Sequence, residues 1–124
     1  MNNPEVTMHE HQRSTRFDAL EKATTGAGIA ISLAMRVPAP LKPIADQVIR
    51  SASSVPANLA EGAGPSGRDR LHHWRIAYGS AKEVDTHLRL LEGTGALDPL
   101  QAEASLNLFD DVRAMTWRLL HPRP

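Results

Sequence analysis

The sequence predicts an all-α protein: an up-down antiparallel four-helix bundle whose second helix is kinked by a proline. Three observations carry this. Apolar residues recur at intervals of three and four, and no useful length alternates with period two. Glycine- and proline-rich breaks at 38–40, 62–67 and 93–99 divide the chain into four segments. Helices of similar length joined by short links stack side by side in alternating direction.

The first segment runs from about Phe17 to Arg36, with Ser14 or Thr15 as its cap and Phe17, Leu20, Thr24, Ala27, Ile31 and Ala34 as its apolar stripe. Gly26 and Gly28 each weaken a helix by about 1 kcal/mol relative to alanine, and small residues at mid-helix mark the close approach of a neighbour. Pro38 and Pro40 end the segment. The second begins near Leu41 or Pro43 and buries Leu41, Ile44, Val48, Ala52, Val55 and Leu59. Pro56 removes a backbone donor inside it and kinks the axis, with Ser53 and Ser54 placed to bond nearby carbonyls.

The third segment spans about Arg68 to Glu92 along Leu71, Trp74, Tyr78, Ala81, Val84, Leu88 and Leu91, and Gly93-Thr94-Gly95 closes it. The fourth opens at Asp98-Pro99, a cap followed by a first-turn proline. Leu108, Val112, Met115 and Leu119 form one apolar side. Phe109, Trp117 and Leu120 form a second. A helix apolar on two sides has two partners, so Phe109, Trp117 and Leu120 are the expected oligomer interface, with the glycine-containing first helix a second contributor. Residues 1–13 read as a flexible N-terminal tail, 14–121 as the bundle and 122–124 as a C-terminal tail.

The length of 124 residues suits one domain. Fourteen Lys and Arg balance fourteen Asp and Glu, and six His add positive charge only on acidification. The overall basic excess of a free-standing nucleic-acid binder is absent. Without cysteine there is no disulfide, thiol chemistry or Cys-ligated metal. The longest apolar run, Ala27 to Met35, is far short of the ~20 residues that span a bilayer. A cytoplasmic protein that does not enter membranes is the expectation.

The sequence offers little chemistry, and no enzymatic role, cofactor or metal is expected. No Glu-x-x-His pair occurs. Glu83 and His87 share a helix face, but only Asp110 and Asp111 stand ready on the fourth segment. His72 and His73 point apart, and His9-Glu10-His11 lies in the expected tail. Ser80, Glu83 and His87 follow at helical spacing on one helix, where backbone amides are already engaged and form no oxyanion hole. The loop Gly62-Ala63-Gly64-Pro65-Ser66-Gly67 lacks the residues of a phosphate-binding loop.

Two polar features remain. Asn58 and Glu61 flank Leu59, and a buried carboxylate must find partners. The expectation is a structural cluster of Asn58, Glu61, Ser80 and Glu83 that sets the register of the second and third helices, balanced by Arg50 or Arg75. Arg68, Arg75, Lys82 and Arg89 recur every seven residues and share one face, a candidate phosphate-tracking stripe interrupted nearby by Asp85 and Glu92.

Residues 46–62, Asp-Gln-Val-Ile-Arg-Ser-Ala-Ser-Ser-Val-Pro-Ala-Asn-Leu-Ala-Glu-Gly, resemble the signature of the small "four helix bundle protein" family. Its members include proteins encoded in intervening sequences of bacterial 23S ribosomal RNA genes, with accessory proteins of diversity-generating retroelements as relatives. Arg75-Ile-Ala-Tyr-Gly-Ser-Ala-Lys-Glu-Val-Asp-Thr86 is similar to the family's second motif, and the resemblance covers about residues 15–121. It implies an up-down bundle assembled as a ring-like homopentamer, without known catalysis. The retroelement relatives bind a reverse transcriptase and nucleic acid through basic surfaces. This chain departs from them in its zero net charge and in Gly64-Pro65-Ser66-Gly67, where a basic residue is common. The expected function is a homo-oligomeric assembly or adaptor module associated with a ribonucleoprotein or a nucleic-acid enzyme. The alternative is direct RNA or DNA binding along the third helix.

Overall fold

The computed structural model describes residues 4–64 and 67–123, with side chains described for 10–64 and 69–123. Among these residues the chain forms α1 (Pro4–Ala34), a 3-10 turn η1 (Ala39–Leu41), α2 (Lys42–Gly62), α3 (Gly67–Gly93) and α4 (Pro99–Leu120), and no strand. Each helix packs on its sequence neighbours, and α1 closes the square against α4. Short links make successive helices antiparallel, so the α1 start, the α2–α3 link and the α4 end share one end of the bundle.

The helix ends follow local chemistry. Asp98 accepts a hydrogen bond from the Gln101 amide at 3.1 Å, and Pro99 takes the first turn of α4. Gly95 turns the α3–α4 link with φ of 80°, a conformation that disfavours any Cβ. Pro43 sits in the first turn of α2, and Pro56 lies inside that helix, which continues past it to Gly62. Ser53 Oγ donates to the Arg50 carbonyl at 3.1 Å, one turn before Pro56. Arg70 of α3 caps the α2 C-terminus, donating to the carbonyls of Gly62 at 3.0 Å and Gly64 at 2.7 Å.

Helix α1 departs from expectation at its start. It begins at Pro4, well before Ser14, and so takes in most of the segment assigned to a tail. Thr15 does not cap; its hydroxyl donates back to the His11 carbonyl at 3.0 Å, inside the helix. The first turns of α1 carry no apolar stripe in the sequence, so spacing gave no sign of them.

The buried face of α1 shares only Ala27 and Ala34 with the predicted stripe. It consists of Ala19, Ala23, Ala27, Ala30, Leu33 and Ala34, whereas Phe17 is 66% exposed. Alanines let α2 and α4 approach closely, and a phenylalanine on that seam has no room. Gly26 belongs to the same seam, where a Cβ would lie 3.3 Å from both Leu108 Cβ and Phe109 Cε2. The other inner faces are closer to expectation. Helix α2 buries Ala45, Val48, Ala52, Val55 and Leu59, and α3 buries Trp74, Ala77, Ala81, Val84, Leu88 and Leu91. Leu71 and Tyr78 fall at the edge of that line. Each large side chain in this core contributes about 1.5–3 kcal/mol of burial.

Candidate interaction surfaces

The polar node between α2 and α3 is real but differently composed. Ser80 Oγ donates to Ser54 Oγ at 2.9 Å. Asn58 Nδ2 donates to the Ser54 carbonyl at 2.8 Å and to its hydroxyl at 3.1 Å, while Asn58 Oδ1 lies 2.9 Å from His73 Nδ1. Because Asn58 Oδ1 can only accept, His73 carries its proton on Nδ1 in this contact. The node is therefore Ser54, Asn58, His73 and Ser80, all partly buried. Glu61 and Glu83 are exposed and stand outside it, as do Arg50 and Arg75. The carboxylates need no buried partner because water solvates them. Sequence reasoning weighed His73 only as a metal ligand, and the spacing within one helix does not show that it meets Asn58 across the α2–α3 seam.

Beside this node, Trp74 fits against Gly62. A Cβ at position 62 would overlap the indole, meeting Cδ1 at 2.5 Å. Arg16 and Arg70 each stand over the Trp74 ring, at 5.9 and 5.8 Å from its centroid. Burial holds the Arg16 guanidinium below its usual range, reinforced by the like charges of Arg70 and Arg13.

Along α3, Arg75, Lys82 and Arg89 are exposed as the spacing requires; the side chain of Arg68 lies outside the described residues. Arg89 is not free. Its Nε donates to Asp85 at 3.0 Å, an ion pair that raises its pKa through the hydrogen bond and the charge of Asp85. Asp85 also faces Arg113 of α4 at 3.1 Å, an ion contact too poorly aligned for a hydrogen bond. Arg113 bonds Asp110 as well. Lys82 lies 5.8 Å over the Tyr78 ring. The expected stripe thus presents fewer free cations than its spacing promised.

On α4, the expected oligomer interface divides. Phe109 is fully buried in the core of this chain and reaches no partner, which corrects its assignment. It sits over Gly26, whose missing side chain makes the space. Leu120 is partly buried against the same core. Trp117 alone projects, 49% exposed, with its ring stacked on His121 at 4.3 Å between centroids.

A surface that sequence reasoning noted only in passing lies on α1. Thirteen consecutive residues, Ala23 to Met35, carry no charge. Thr24, Thr25, Gly28 and Met35 are exposed, and Ile29 and Ser32 partly so. Gln101 and Ala104 of α4 continue this surface across a shallow groove, and Leu100, 83% exposed, stands next in sequence. A Cβ at Gly28 would touch nothing within 4 Å, so glycine is not required there by this chain's own packing.

A larger open groove, about 1470 Å3, lies at the bundle end between the early turns of α1, Tyr78 of α3 and the end of α4. Among the described residues no three His, Asp or Glu side chains converge as a metal site would require. Among them, too, no helix is long and apolar enough to cross a membrane.

The crystal structure of a protein of unknown function from the S23 ribosomal protein family of Bacteroides thetaiotaomicron VPI-5482 shares this fold. It superposes with a TM-score of 0.75 at 22% identity, covering 86% of this chain and 97% of that one. No curated protein matches the chain. The model of the 23S rRNA-intervening sequence proteins matches residues 30–118, from Ala30 in the uncharged stretch of α1 through Arg118 in the last turn of α4, and the chain belongs to that family.

Proposed function

We propose that this protein is a non-enzymatic assembly module that acts as a homo-oligomer, its copies docking through the uncharged face of α1. The observation that carries the reading is the thirteen-residue stretch without charge on a helix that keeps Thr24, Thr25, Gly28 and Met35 in solvent. Interface centres are depleted of charge, and a small-residue face lets a second helix approach closely. The family resemblance favours five copies. The family's tie to ribosomal RNA genes favours a ribonucleoprotein or a nucleic-acid enzyme as the partner of such an adaptor. The non-enzymatic reading is supported by the state of the Ser80–Glu83–His87 series. Ser80 spends its hydroxyl on Ser54, and His87 Nδ1 lies 2.8 Å from the Glu83 carbonyl, so no nucleophile meets a base.

Sedimentation equilibrium at micromolar concentration tests the reading. Wild-type protein is expected to run as a multimer of 13.5 kDa chains. Gly28→Glu, which meets no atom of its own chain and removes a poor helix former, is expected to run as a folded monomer. A wild-type monomer would overturn it.

A further inference from the structure

The groove at the bundle end has a composition that the assembly reading leaves unused. Its walls carry the rings of Tyr78 and Trp117, the imidazoles of His11 and His121, and three guanidinium groups, Arg113, Arg118 and Arg123, against one acid, Asp110. Asp110 is already bound to Arg113, which also contacts Asp85. Arg118 and Arg123 are exposed and have no acidic partner among the described residues. Arg118 in the last turn of α4 also offsets the partial negative charge of that helix end. The Trp117 indole, half in solvent, already stacks on His121 with only 25° between the ring planes.

We propose that this groove binds single-stranded nucleic acid, a base extending the Trp117–His121 stack while Arg118 and Arg123 hold the adjoining phosphates. Three features select that occupant. The free charge of the walls is positive. The exposed apolar surface is a flat ring, which offers a stacking partner to any base. At about 1470 Å3 the groove exceeds the ≈ 300–1,000 Å3 usual for a small-molecule site. An acidic peptide matches the charge but brings a stacking ring only where it carries an aromatic side chain, whereas every nucleotide carries one beside its phosphate, and a duplex keeps its base faces inside the helix. The site lies at the bundle end, apart from the uncharged face of α1, and does not depend on assembly.

Titration with a labelled oligouridine, read by anisotropy at low and high salt and by tryptophan emission, tests the proposal on the full chain. Trp74 is buried, so Trp117 is the indole that a bound base quenches. The expected result is saturable binding that weakens with salt, accompanied by quenching. Trp117→Ala is expected to weaken binding about tenfold or more. Arg118→Glu is expected to weaken it and flatten the salt dependence, and Arg75→Ala, on the open α3 face, to leave it unchanged. Circular dichroism checks that each variant keeps its helices. Trp117→Ala binding as wild type does, an acidic peptide of matched charge binding as tightly as the oligouridine, or Arg75→Ala losing as much as Arg118→Glu would each overturn the proposal.

Discussion

Ser105 on α4 donates its hydroxyl hydrogen to the carbonyl of Gly26 on α1 at 2.9 Å, and both residues are buried. The contact joins helices 79 positions apart in sequence at the level where Phe109 packs over Gly26. Removing the side chain at 26 and placing a small hydroxyl at 105 serve the same close approach. Ser105→Ala is expected to destabilise the fold by about 1 kcal/mol in urea unfolding, the net worth of one buried hydrogen bond. Gly26→Ala pits about 1 kcal/mol of improved helix propensity against contacts of 3.3 Å to Leu108 and Phe109, and a net loss is expected because neither neighbour is a flexible chain end.

Gly62 and Trp74 form a stricter pair. The indole occupies the volume a side chain at 62 would need, and the ring is 2% exposed, so it has nowhere to swing. Gly62→Ala is expected to cost about 1–3 kcal/mol despite alanine's better helix propensity. Thermal unfolding of Gly62→Ala beside Gly79→Ala, at an open position inside α3, makes the comparison direct. The second substitution meets open space and is expected to raise stability by up to about 1 kcal/mol.

Phe17 and Phe109 exchange the roles that spacing assigned them. Phe109→Ala is expected to cost about 3–5 kcal/mol, since it opens a cavity in a closed core. Phe17→Ala is expected to stay within about 0.5 kcal/mol, as an exposed side chain should. Equal midpoints for the two variants in denaturant would contradict this arrangement.

The polar node is tested by contrast within one helix. Asn58→Ala removes the bonds to Ser54 and leaves His73 without its partner, a loss of about 1–3 kcal/mol. Glu61→Ala, three residues on and exposed, is expected to change stability by less than about 0.5 kcal/mol. Differential scanning calorimetry on the two variants separates them.

Much of this architecture was legible before any coordinates. Val48, Ala52, Val55 and Leu59 on α2, and Trp74, Ala81, Val84, Leu88 and Leu91 on α3, fall on the predicted lines, because a helix with one broad apolar face records its orientation in its own spacing. The Asp98-Pro99 start of α4 was equally readable, since a cap is a local bond. Helix α1 was read only in part: Ala27 and Ala34 of the predicted stripe are buried and Leu20 and Ile31 pack beside them, but the rest of the core face is mostly alanine, which looks neutral beside Phe17. In the polar node, Asn58 and Ser80 were found while Glu61 and Glu83 were wrongly included. Residues three apart on a helix point in directions about 60° apart, which is enough to move a side chain from a helix seam into water.

What the sequence determined by itself is the number of helices, their alternating direction and the inner faces of α2 and α3, because these depend on periodicity, proline, glycine and caps acting within a few residues. Only the tertiary structure decided which way α1 and α4 are rotated. That rotation put Phe109 inside against Gly26 and left Trp117 and Phe17 outside, while the packing of α2 on α3 brought His73 to Asn58. The physical reason is that rotation is set by close packing against two neighbouring helices at once: small residues mark the seam only when the bulk that fills the space beside them is known.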